Sequence, residues 1–156
     1  MDRLDLNHAT QRQHGFSLAE TLIALFVLAI GLLGLANLQF KSLRLNYDAY
    51  LRTQATIQAQ DIAERLIANL PAATRYTQIE PPVITPDCNA NSCSPTQLSA
   101  YDLDAWRSTL ARLLPSGVGT ITKHGVIYTI TINWNNGVPN NPPGSVILTV
   151  ATTTPP

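Results

Sequence analysis

From Thr21 to Leu38 the chain carries no charge, and only Thr21 and Asn37 interrupt an otherwise apolar run. As a helix, about eighteen residues reach roughly 27 Å, enough for the hydrocarbon core of a bilayer. A chain of 156 residues holds too little core to surround such a helix on all sides, so a soluble buried helix is the poorer reading. The alternative of a secretory signal peptide asks for a small-residue cleavage site after the run. Here Asn-Leu-Gln-Phe-Lys-Ser-Leu comes after Ala36, and no such site is present.

The run continues without pause. Phe40, Leu43, Tyr47, Tyr50, Leu51, Ile57, Ile62, Leu66 and Leu70 recur at threes and fours, with Gln, Arg, Asp and Thr between them. That spacing predicts one helix from Phe16 to Leu70, about 55 residues long, apolar all round at first and amphipathic afterwards. All eleven prolines lie between Pro71 and Pro156, so Pro71 is expected to stop it. Gly31 and Gly34 lie within the apolar half, either as ordinary membrane-helix glycines or as a close-contact face.

Glu20 stands directly before the apolar run, and no Lys or Arg lies between Gly15 and Phe40. A carboxylate there either snorkels to the interface or finds a partner from elsewhere. A free amine created at Phe16 by cleavage would have the right sign. GFSLAETLIALFVLAIGLLGL resembles the amino-terminal motif of type IV pilins and pseudopilins: a polar leader ending in glycine, a cut before phenylalanine, a glutamate fifth in the mature chain, then a continuous apolar helix. The resemblance implies that a prepilin peptidase cuts between Gly15 and Phe16 and methylates the new amine of Phe16. It also implies that Glu20 pairs with the terminal amine of a neighbouring subunit during assembly. Lys41, Arg44 and Arg52 lie beyond the run, so a count of positive charges does not favour a cytoplasmic leader; the motif is taken to overrule the count. Many major pilins carry a proline partway along this helix, and this chain has none.

The second half predicts a small α+β head. A short helix from about Leu98 to Leu114 presents Leu103, Trp106, Leu110 and Leu113, with Pro115 and Gly117 ending it. Asp102 and Asp104, two apart, diverge on a helix and are expected to be a solvated face. Two strands flank a His124–Gly125 turn, the second alternating from Val126 to Trp134, and a third runs from Ser145 to Thr153. The stretch from Asn135 to Gly144 is a loop. The sheet is expected to be antiparallel and to cover the amphipathic half of the long helix. Cys88 and Cys93 are candidates for a disulfide clipping a loop if that part is exported, with free thiols or half of a metal site as the alternatives.

The order DLDAW, LARLLPSG, YTITINW, together with AIGLLGLANLQ, resembles the minor pilins called type IV pilus modification protein PilV. That resemblance implies a pilin-like division: residues 1–15 a cleaved cytoplasmic leader, 16–40 the transmembrane and assembly half of the long helix, 41–70 its amphipathic half, and 71–156 a periplasmic head. It implies a low-abundance subunit helping to start pilus assembly, whose partners are the prepilin peptidase, other minor and major pilins, the inner-membrane assembly platform and a tip adhesin. The protein would sit in the inner membrane with its head in the periplasm, then in the extracellular pilus. A type II secretion pseudopilin is the alternative within the same machinery, and a membrane-anchored periplasmic binding module the alternative from another class. Phosphate loops, GxSxG and HExxH are absent from the sequence, so no enzyme, cofactor or metal is expected. A net charge of zero, with 13% of residues charged, gives no footprint for nucleic acid.

Overall fold

A computed structural model describes residues 15, 17–77, 87–137 and 142–152. The element order is α1 (Leu18–Ala68), a 3-10 segment (Leu70–Thr77), α2 (Pro95–Leu113), β1 (Val118–His124), β2 (Ile127–Trp134) and β3 (Gly144–Ala151). This is a long amino-terminal helix, a further helix and a small antiparallel sheet, the α+β pilin-like arrangement expected. The chain divides into two units, one up to Leu43 and one from Arg44.

Within the first unit the described chain is Gly15, Ser17 and the first part of α1, where every residue from Leu18 to Leu35 is exposed. The second unit holds a single core that joins α1, the 3-10 segment, α2 and all three strands. From α1 the core takes Leu51, Ala55, Ala59, Ile62, Ala63 and Leu66, one face at steps of three and four. This corrects the expected stripe. Leu51, Ile62 and Leu66 are buried as the spacing predicts, but Phe40, Leu43, Tyr47, Tyr50, Ile57 and Leu70 are all exposed. Ala55, Ala59 and Ala63 fill the places between the buried large residues and are themselves buried.

The helix ends at Ala68, two residues short of the expectation, and the Asn69 N–H still donates to the Arg65 carbonyl. Pro71 does not end helical structure outright; the chain turns on through a 3-10 segment kinked at Ala72. A missing N–H is no handicap there, because the first turn of a helix has none to satisfy internally. α2 starts three residues before the expected Leu98, since Ser94 and Gln97 form a reciprocal capping box with Pro95 at the first helical position. Its buried face is Leu103, Trp106 and Leu110 with Ser99 and Asp102; Leu113 is half-buried.

Strand order is β1-β2-β3, antiparallel throughout. The hairpin turn is Gly125–Val126 rather than His124–Gly125, with His124 paired to Ile127. Gly125 has φ +60° at the first turn position, which a two-residue turn of this hand requires. Tyr128, Ile130, Ile132 and Trp134 line the inner face of β2. Ile121 joins them from β1, and Val146, Leu148 and Val150 from β3. β3 closes the sheet as the second edge, with Leu148 opposite Ile130 and Val150 opposite Tyr128. Gly119 of β1 faces Trp106 so closely that a Cβ there would stand 2.2 Å from the indole.

Candidate assembly site

Ser17 sets the start of α1. Its Oγ accepts the Glu20 N–H at 3.2 Å, and its carbonyl accepts the Thr21 N–H at 3.2 Å. Glu20 is thus the third residue of the helix, where a carboxylate meets the positive end of the helix dipole. Ser17-Leu-Ala-Glu20 is the S-x-x-E pattern of a helix start. Attention to membrane depth alone misses this second role of Glu20, although the spacing to Ser17 signals it. Gly15 is exposed, and among the described residues no atom lies within 4 Å of where a Cβ on it would sit. Phe16, the expected cleavage and methylation residue, lies outside the described residues.

Beyond Glu20 the helix presents Leu22, Ile23, Leu25, Phe26, Val27 and Leu28 to its surroundings, each more than half exposed. α1 is long and apolar enough to cross a membrane, and none of its most apolar eighteen-residue stretch is buried by the rest of the described chain. Lipid or other chains must cover such a surface. Gly31 and Gly34 have nothing near them within the described chain, so no internal contact calls for their small size.

A family model for the prokaryotic N-terminal methylation motif matches residues 10–36, and a model of the type IV pilin Tt1218 matches residues 37–104. The two matches support the type IV pilin superfamily. They adjoin at Ala36 and Asn37 and together cover residues 10–104, which take in α1, the 3-10 segment and the first half of α2. No significant match to a curated protein or to a solved structure is found. The methylation motif and the apolar helix fit the membrane anchoring of a pilin. Pilins are structural subunits, and the motif implies processing by a peptidase and assembly with other pilins.

In the second unit, a buried polar cluster ties the end of α1 to the 3-10 segment and α2. Arg65 donates through Nη1 to Asp102 Oδ1 at 2.9 Å and through Nε to Asp61 Oδ2 at 3.0 Å. The Tyr76 hydroxyl donates to Asp102 Oδ2 at 2.5 Å. Asn69 donates to the Pro95 carbonyl at 2.7 Å, and the Trp106 indole N–H to the Gln58 carbonyl at 2.9 Å. Asp102 is therefore not the solvated carboxylate its spacing suggests: only 4% of it is exposed. Burial, and then the bond to Asp102, push the Tyr76 hydroxyl well above its ordinary pKa. Asp104 is exposed, as expected. Cys88 and Cys93 are joined in a disulfide with Cα atoms 5.5 Å apart, closing a small loop just before α2. His124 is exposed at the end of β1.

Proposed function

We propose that this chain is a minor type IV pilin, a low-abundance subunit that helps to start pilus assembly alongside other minor pilins at the tip. The observation that carries the reading is the order Gly15-Phe16-Ser-Leu-Ala-Glu20 leading into a helix that the described chain leaves uncovered. In this reading the leader, residues 1–15, stays cytoplasmic and is removed after Gly15. The exposure of Gly15 suits access by a peptidase. The new amine of Phe16 is methylated.

Glu20 stands at the edge of the apolar run, and a neighbouring subunit brings it an amine. An unpaired charge in that setting costs several kcal/mol, so misregistered stacking is penalised and the pair sets the register of assembly. The helix without proline, and the likeness of α2 and β2 to the PilV minor pilins, support the minor class. The protein then resides in the inner membrane with its head in the periplasm, and passes into the fibre.

The test is the mature amino terminus, read by mass spectrometry after expression with and without a prepilin peptidase. A chain beginning at methylated Phe16 only when the peptidase is present is the expected result. A chain that keeps Met1 beside an active peptidase would return the protein to an ordinary membrane anchor. Incorporation into pili, against incorporation into a secretion pseudopilus, decides between the two machineries.

A further inference from the structure

The sheet has two edges, and they are finished differently. β1 carries Lys123 and His124 at one end and has the 3-10 segment and α2 packed against it. A charged and flanked edge resists further pairing. β3 carries no charge and no proline, and among the described residues β2 alone pairs with it. Its inward row is also incompletely covered. Val146, Leu148 and Val150 are half-buried, whereas their partners on β2, Ile132, Ile130 and Tyr128, are 0%, 0% and 1% exposed. The core is unfinished on this side of the sheet.

Beyond β3 lies a groove of about 320 Å³, walled on one side by β3 from Ser145 to Leu148 and on the other by Arg52, Thr56, Ala59 and Gln60 of α1. Arg52 is exposed, and among the described residues no carboxylate forms an ion pair with it; the pairs formed are those of Arg65. Asp48, one turn earlier on α1, lines an adjoining hollow and not the groove itself.

These features select the occupant. An edge strand presents unpaired N–H and C=O groups along its length, and an extended chain can take them, whereas a helix satisfies its own internally. The half-covered row of Val146, Leu148 and Val150 asks that chain for apolar side chains on its inward face. Arg52 asks for a carboxylate near the Ser145 end. We propose that the free edge of β3 takes an extended segment of another polypeptide as a fourth, antiparallel strand, with apolar side chains turned into the groove and one acidic side chain set against Arg52. Strand addition of this kind draws affinity from the main chain and specificity from the alternate side chains. The eight residues of β3 span roughly 27 Å, so a partner segment of about that length fills the edge. β3 itself carries no acid, so a second β3 does not meet the demand of Arg52. The inference goes beyond the pilin reading and does not depend on it.

The probe is a heptapeptide with both ends capped, reading Thr-Val-Thr-Val-Thr-Glu-Thr. Antiparallel pairing sets its two valines beside Val150 and Leu148 and its glutamate beside Val146, at the Arg52 end. It is added to the full chain in detergent micelles, and hydrogen exchange is read by mass spectrometry. The β3 amides should slow by about tenfold or more at saturating peptide, with β1 unchanged. The same peptide with lysine in place of glutamate should bind about tenfold more weakly, and Arg52→Glu, a change at an exposed position, should reverse that preference. A version N-methylated at alternate residues, unable to donate to the edge, should not protect β3. Equal protection by the N-methylated peptide would show an unspecific apolar surface and overturn the proposal. So would no slowing at all, slowing at β1 in place of β3, or a preference that Arg52→Glu leaves unchanged. Protection of β3 that rises with protein concentration in the absence of peptide would overturn it in favour of a second copy.

Discussion

Asp102 sits on α2 two residues before Asp104, and on a helical wheel the pair diverge as ordinary surface carboxylates would. Their fates differ because Arg65 and Tyr76 arrive from elsewhere in the chain to meet the first of them. Spacing along one helix says nothing of partners 37 and 26 residues away, which is why this site is not legible in the sequence. Asp102→Ala should leave Tyr76 and Arg65 unmatched and cost about 2 kcal/mol, at the lower end for a broken buried pair because Arg65 is 42% exposed and keeps Asp61. Urea unfolding measures it. The raised pKa of Tyr76 gives a pH signature. Its neutral form is favoured in the folded head, so that stabilisation is complete below the ordinary tyrosine value of 10.0 and fades as pH rises above it. Alkaline unfolding curves should lose this dependence in Tyr76→Phe. Glu20 is the opposite case: its position after Gly15 and before an uncharged run is legible from residues alone. Glu20→Ala should be processed and inserted normally, yet enter pili at least about tenfold less often, as immunoblots of sheared fibres would register.

Among the elements, α1 is the most legible and its packing face the least. Length and apolar content announce the helix, but hydrophobic spacing gives weight to large side chains and passes over Ala55, Ala59 and Ala63, which are all buried. Small residues carry little hydrophobic signal, though they decide which face other elements can approach. The strands are legible to within two residues because alternation survives any partner. What the alternation does not reveal is Gly119, whose missing side chain admits the Trp106 ring against β1. Gly119→Ala should cost about 2 kcal/mol by overpacking, with Trp106 forced from its bond to Gln58. A lowered thermal midpoint with unchanged membrane insertion is the expected observation.

For the molecule as a whole, the amphipathic half of α1, the 3-10 segment, α2 and the sheet share one core, and the apolar half of α1 is left to its surroundings. Stability and anchoring are then separable properties. The Cys88–Cys93 bond belongs to the first of these. Closing so short a loop contributes about 2 kcal/mol on the chain-entropy account. Reduction should lower the head's unfolding midpoint accordingly and leave the chain in the membrane fraction. Alkylation that proceeds only after reduction would verify the bond in the isolated protein.

The chain has two tryptophans, Trp106 and Trp134, and both are buried in the head, 2% and 4% exposed. The emission of this protein is therefore a built-in reporter of one half only. Excited near 295 nm, a native sample should glow at short wavelength and shift to the red when the head opens, whatever happens to the lipid-seeking half of α1. A spectroscopist who watches that colour through detergent exchange, reconstitution or fibre assembly will be watching the head hold its shape, and will need a separate label to see the anchor at all.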